Sequence, residues 1–137
     1  APAVDFFSIG SNDLTQYVLA MDRTSARLAP IADALHPAVL RAIRSTVEGA
    51  DAHGIPVAVC GELAGKPLGA LVLVGLGVDE LSMDAGALDE VRLALSRATT
   101  AELRALAGAA LRARSAAEVR AAAAALLDRA APTTVAG

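Results

Sequence analysis

Aromatic residues are almost missing from this chain. Phe6, Phe7 and Tyr17 are the only ones among 137 residues, and tryptophan is absent. There is no platform on which bases of a single strand would stack, and no basic run to follow a phosphate backbone, which argues against a nucleic-acid partner. The net charge is −3, with both signs interspersed, so anionic membrane surfaces hold no attraction for it. Cysteine is reduced to Cys60 alone, which excludes an internal disulfide and any cysteine-rich zinc site and fits a cytoplasmic home. Long hydrophobic runs are also lacking. The longest apolar stretch, Leu68 to Val78, carries three glycines and falls far short of the roughly 20 residues of a membrane span. The first residues, APAVDFF, have no basic segment leading into an apolar one, so they do not read as a signal peptide. They also lack an initiator methionine, which points to a processed chain or a fragment.

What is present in quantity is alanine, leucine and valine; 55% of the residues are hydrophobic, and the core must be aliphatic. Val4 to Gly10 reads as a buried strand, and Asn12 to Ala20 as a short helix with Leu14, Tyr17 and Val18 at helical spacing. Met21 to His36 is irregular. A second helix begins at Pro37, whose fixed φ suits a first turn, and runs along Val39, Leu40, Ile43 and Val47 to a stop at Gly54. Ile55–Cys60 is a second strand, Pro67–Leu76 a helix stopped by Gly77, Asp79–Met83 a third strand, and Ala87–Ser96 a helix. Apolar strands alternating with helices predict an α/β fold with parallel pairing, covered on both faces. Two capping-box patterns, TTAE at Thr99–Glu102 and SAAE at Ser115–Glu118, open a helical pair. The expected organisation is 1–97 as the α/β part, 98–130 as the helical pair, and 131–137 as a disordered tail.

In parallel α/β folds, sites gather where strands end at their carboxyl ends. The first strand delivers Ser11, Asn12 and Asp13 there, the second Cys60, Gly61 and Glu62, and the third Met83 and Asp84. Asn12 and Asp13 have a plain reading as helix caps and a functional one as groups beside N–H donors that bind an anion. Asp13 can also contribute one carboxylate to a magnesium ion that takes its remaining ligands from substrate and water. Cys60 is a small hydrophobe or, at the rim of the strand, a proton donor. Arg23 and Arg27 are solvated charges or phosphate clamps. His36, His53 and Lys66 read as structural or surface groups.

The stretches FFSIGSNDLTQYVLAMDR, HPAVL, VCGELAG and GLGVDELSM, in this order, resemble the C-terminal, phosphoenolpyruvate-binding domain of enzyme I of the bacterial sugar phosphotransferase system. The resemblance covers nearly the whole chain. NDLTQ alone is shared with pyruvate phosphate dikinase and phosphoenolpyruvate synthase, which makes a relative of those enzymes the alternative. A non-catalytic dimerisation or phosphoenolpyruvate-sensing module is the alternative outside enzymes.

The resemblance implies about three βα units of a (β/α)8 TIM barrel, followed by a helical tail. It implies transfer of the phosphoryl group of phosphoenolpyruvate to a histidine on a separate N-terminal domain, with Mg2+, then to the carrier protein HPr, releasing pyruvate for sugar uptake. It also implies a homodimer. By motif, Asn12 corresponds to a substrate contact, Asp13 to a magnesium ligand and substrate contact, Arg23 to a phosphate-binding arginine, and Cys60 to the acid that protonates the enolpyruvate methylene. Glu62 belongs to the motif without a firm role. A full barrel needs about 250 residues and eight strands. The family's second magnesium ligand, its further arginines and its phosphohistidine segment have no counterpart here. The chain is therefore expected to be the closing portion of a larger protein, incomplete as a catalyst, with strand edges and an apolar sheet face that drive self-association.

Overall fold

A computed structural model describes residues 3–21 and 32–129. Arg23, Arg27 and the 131–137 tail lie outside the described residues. Strand β1 (Phe7–Gly10) leads directly into helix α1 (Ser11–Leu19). Helix α2 (Pro37–Asp51) is followed by β2 (Val57–Cys60), α3 (Pro67–Leu76) and β3 (Glu80–Ser82). A 3-10 turn (Ala85–Ala87), α4 (Leu88–Ser96), α5 (Thr100–Arg112) and α6 (Ala116–Arg129) complete the order. The strands pair in parallel, as the alternation of apolar strands and helices predicts, and their order in the sheet is β1-β2-β3.

Local chemistry explains most boundaries. Pro37 opens α2, and the ring Nδ1 of His36 accepts the Ala38 N–H at 3.1 Å as its cap. Gly77 ends α3 with φ 95, a left-handed conformation that a side chain resists. α2 ends at Asp51, and Gly54 takes its left-handed φ of 65 in the turn that follows. The sheet begins later than its apolar run does: Phe6 is 63% exposed and precedes β1. Tyr17, placed on the apolar stripe by spacing, is 86% exposed on α1.

The core lies between the sheet and the helices. α3 is its centre, with Leu71, Val72, Leu73 and Leu76 all buried and helices α2, α4, α5 and α6 packed around it. Each such side chain contributes about 1.5–3 kcal/mol by leaving water. α5 and α6 add Leu103, Leu106, Val119 and Leu126 to the same core. α3 and α5 approach at Gly75, where a Cβ would overlap the Leu103 carbonyl. Two α2 arginines tie helix ends together: Arg44 Nη1 donates to the Leu76 carbonyl at 2.9 Å, and Arg41 Nη1 to the Leu111 carbonyl at 2.8 Å.

Register sorts the sheet into two faces. Phe7, Val57, Ile9, Val59 and Leu81 pack on the core side. The opposite rows are Ser8, Ala58 and Glu80, then Gly10, Cys60 and Ser82, and they are exposed or half-buried. This second face is small and polar, not the apolar one expected, because the alternation within each strand sends its large residues to the helices. That weakens the drive toward self-association.

The two capping motifs differ. At Thr99 both halves form: its hydroxyl accepts the Glu102 N–H at 3.3 Å, and the Glu102 carboxylate accepts the Thr99 N–H at 2.8 Å. At Ser115 the hydroxyl accepts the Glu118 N–H at 3.2 Å, but the Glu118 carboxylate takes the N–H of Arg114 instead. The Thr99 N–H, followed by its hydroxyl, holds the Glu102 carboxyl below the ordinary glutamate range. A depressed carboxyl stabilises the fold above its unfolded pKa, and that contribution is lost as pH falls through the folded value. Stability should therefore drop as pH is lowered past the ordinary carboxylate range, and Glu102→Gln should flatten that dependence in pH-resolved thermal melts. Urea unfolding separates two glycine effects. Gly75→Ala should cost about 1–3 kcal/mol through overpacking against α5. Gly49→Ala, on an open face of α2, should gain about 0.4–1 kcal/mol.

Candidate functional site

The carboxyl end of the sheet is where the chain's polar motifs meet. β1 passes into α1 without a connecting loop, and the N-cap is Gly10, with no side-chain cap bond. Asn12 is thus not the cap that its position before the helix suggested. It sits inside the first turn, and its side chain reaches another segment: Oδ1 accepts the Glu62 N–H at a long 3.4 Å. Ser11, one residue earlier, is completely buried and donates its Oγ to the Cys60 carbonyl at 2.8 Å. The Thr15 hydroxyl, also buried, donates to the Ser11 carbonyl at 2.7 Å.

Gly61 makes this possible. Its φ is +107, and a Cβ there would stand 2.6 Å from Ser11 Oγ and 3.3 Å from Asn12 Oδ1. Only glycine allows both the turn and the close approach. The α1 side chains therefore grip the turn on both sides of Gly61, at the carbonyl before it and at the N–H after it.

Cys60 is the last residue of β2 and a half-buried free thiol. Strand alternation opposes it to the buried Val57 and Val59 and puts it in the row with Gly10 and Ser82. Asp13 is exposed in the first turn of α1, where the helix dipole favours a negative charge, and Gln16 Nε2 donates to its Oδ1 at 3.3 Å. Glu62 is exposed and pairs with Lys66 at 3.3 Å, a contact too solvated to contribute much stability. The fold thus brings Asn12, Asp13, Cys60 and Glu62 to one end of the sheet, while Arg23 lies outside the described residues.

A cleft of about 840 Å³ lies beside this end, lined by Asn12, Gln16, Asp33, Glu62, Lys66 and Arg120 among others. Cys60 and Asp13 are not part of its lining. The Arg120 guanidinium donates to Asp33 at 2.6 Å across it.

The donor set fits part of a magnesium site. Asp13 offers a single exposed carboxylate, and among the described residues no three His, Cys, Asp or Glu side chains cluster as ligands. Magnesium bound through one or two carboxylates, substrate oxygens and water asks for no more from one segment.

Two structural roles escaped the sequence. Ser11 has its partner 49 residues away, and the only local hint was a serine directly before Asn-Asp with a Cys-Gly pair on another strand. Asp79 accepts the Val57 N–H at 2.8 Å and fixes the start of β3 beside β2. Gly61→Ala should force the β2–α1 contact apart, with a loss of about 1–3 kcal/mol from the strained φ alone, read as a lower urea midpoint.

The family of PEP-utilising enzymes, in its PEP-binding domain, matches residues 1–100. A multiphosphoryl transfer protein of Xanthomonas campestris pv. campestris is 57% identical over 103 residues, covering 75% of this chain and 12% of that protein. A phosphoenolpyruvate-protein phosphotransferase of Haloferax volcanii is 50% identical over 107 residues, covering 78% of this chain and 19% of the relative. A protein of Escherichia coli K12 named for the phosphoenolpyruvate-dependent phosphotransferase system is 47% identical over 107 residues, 78% of this chain and 14% of the relative. The chain thus spans less than a fifth of the length of these relatives. The match over residues 1–100, together with identities near half, shows that this chain belongs to the PEP-utilising enzymes through their PEP-binding domain.

Proposed function

We propose that the carboxyl end of this sheet is one wall of a phosphoenolpyruvate site in a phosphoenolpyruvate-protein phosphotransferase of the enzyme I type. The observation that carries this reading is the grip of Ser11 and Asn12 on the Cys60–Gly61–Glu62 turn, which joins the two motifs richest in candidate chemistry. The relatives' names supply the reaction class. The helices cover one face of the parallel sheet and leave the other open, as they do where they form the outer ring of a barrel, so the three strands are read as closing units of a (β/α)8 barrel.

In this reading the N–H groups at the start of α1 and the Asn12 amide hold the anionic substrate. Asp13 supplies a carboxylate to Mg2+, and Arg23 a guanidinium to the phosphate. The ion, when bound, neutralises charge on the phosphate and enolate oxygens. A histidine nitrogen outside this chain attacks phosphorus, and the bond from phosphorus to the enol oxygen breaks with its electron pair on that oxygen. The resulting enolate carbon takes the proton from Cys60 Sγ, giving pyruvate and a thiolate that solvent reprotonates. The phosphohistidine then passes its group to HPr. A cytoplasmic homodimer is the assembly that goes with this role.

Pyruvate release from phosphoenolpyruvate by the intact polypeptide that carries these residues tests the reading. Cys60→Ala should lower it by about 10²–10⁴-fold, the range typical of a lost proton donor. An unchanged rate removes Cys60 from the mechanism. Saturable binding of phosphoenolpyruvate without any pyruvate formed by the unsubstituted polypeptide would instead identify a sensing module.

A further inference from the structure

Ser11 and Thr15 are the buried polar side chains among the described residues, and neither has a part in the chemistry above. Thr15 satisfies its own helix. Ser11 does something else. Gly10 is the last residue of β1 to pair with β2, opposite Cys60. One residue later the backbone has entered α1, and the strand ladder can go no further. The Cys60 carbonyl lies at that break, and the Ser11 hydroxyl is its donor at 2.8 Å. The hydroxyl thus extends the ladder by one bond after the backbone has turned away.

That bond fixes more than a carbonyl. The direction of the Cys60 carbonyl is set by ψ of Cys60, so it defines the orientation of the Cα–Cβ bond relative to the peptide that follows. Gly61, with φ +107, would otherwise let the turn swing. Asn12 holds the far side through the Glu62 N–H. Free rotation of the turn is removed from both ends, and the Cα–Cβ bond of Cys60 is held in a set direction relative to the first turn of α1.

We propose that Ser11 is a positioning residue: by bonding the Cys60 carbonyl it orients the Cys60 thiol toward substrate held at the N-terminus of α1. It touches no reacting atom itself. The proposal rests on the reading of Cys60 as the proton donor.

Two measurements on Ser11→Ala and Ser11→Thr test it, each with a urea midpoint to report folding. The first is the rate of Cys60 alkylation by iodoacetamide as a function of pH in the 137-residue chain. Ser11→Ala should shift the rate by about threefold or more, and Ser11→Thr, which keeps the hydroxyl, should follow the unsubstituted profile. The second is pyruvate formation by the intact polypeptide. Ser11→Ala should lower kcat by about 10-fold or more, as a misplaced group does, with KM for phosphoenolpyruvate within about twofold, and Ser11→Thr should restore it. An alkylation profile unchanged in Ser11→Ala overturns the proposal, as does a folded Ser11→Thr that behaves like Ser11→Ala. Failure of the underlying reading looks different. Cys60→Ala then forms pyruvate at the unsubstituted rate, while the alkylation result still reports whether Ser11 sets the thiol.

Discussion

Everything at the carboxyl end of this sheet depends on one close approach, Gly61 against the first turn of α1. A backbone without a side chain, held at a positive φ, lets the Ser11 hydroxyl and the Asn12 amide reach the two peptide groups that flank it. The bonds have different strengths. The Ser11 contact is short and runs from a fully buried hydroxyl to the carbonyl of a half-buried residue, and such a bond contributes about 0.5–1.5 kcal/mol. The Asn12 contact is long and exposed, so it guides the turn more than it stabilises it. Helix capping therefore does not account for the polar cluster. The cap is the bare Gly10, and the cluster is free to work between segments.

The rest of the fold makes that junction rigid. α3 is buried among α2, α4, α5 and α6, with Gly75 at the place where α5 comes closest. Such packing is possible with few aromatics because leucine, valine and alanine fill the space and glycine lets backbones approach. β2 is the central strand, tied to β1 along its length and to β3 through the Asp79 carboxylate as well as the ladder. Cys60 thus sits at the end of the best-supported strand, facing away from the core. The packed core therefore lies behind Cys60 and the free face of the sheet in front of it.

Much of this was legible in the sequence because it is local. Pro37, Pro67 and Gly77 fix helix ends through their own backbone preferences, and the Thr99 box closes within four residues. The parallel pairing followed from apolar strands alternating with helices. What escaped depends on residues far apart. Asn12 takes its partner 50 residues away, and no spacing rule signals such a bond. Tyr17 fits the period of α1 but finds no packing partner among the described residues, since a period gives the angle of a side chain and not what lies opposite. Strands rich in large apolar residues predict an apolar free face, but the pleat turns Phe7, Ile9, Val57, Val59 and Leu81 to the helix side. The motif residues Asn12, Asp13, Cys60 and Glu62 are singled out by pattern alone. Their convergence on one end was expected from the fold class, but the contact that joins them was not.

The most direct measurement of that contact is a double-mutant cycle between Ser11→Ala and Gly61→Ala, read by urea unfolding. Removing Oγ removes the atom 2.6 Å from the added Cβ, so Gly61→Ala should cost less in the Ser11→Ala background. A coupling of about 1 kcal/mol is the expected result for residues in contact, whereas additivity within about 0.3–0.5 kcal/mol would contradict the account.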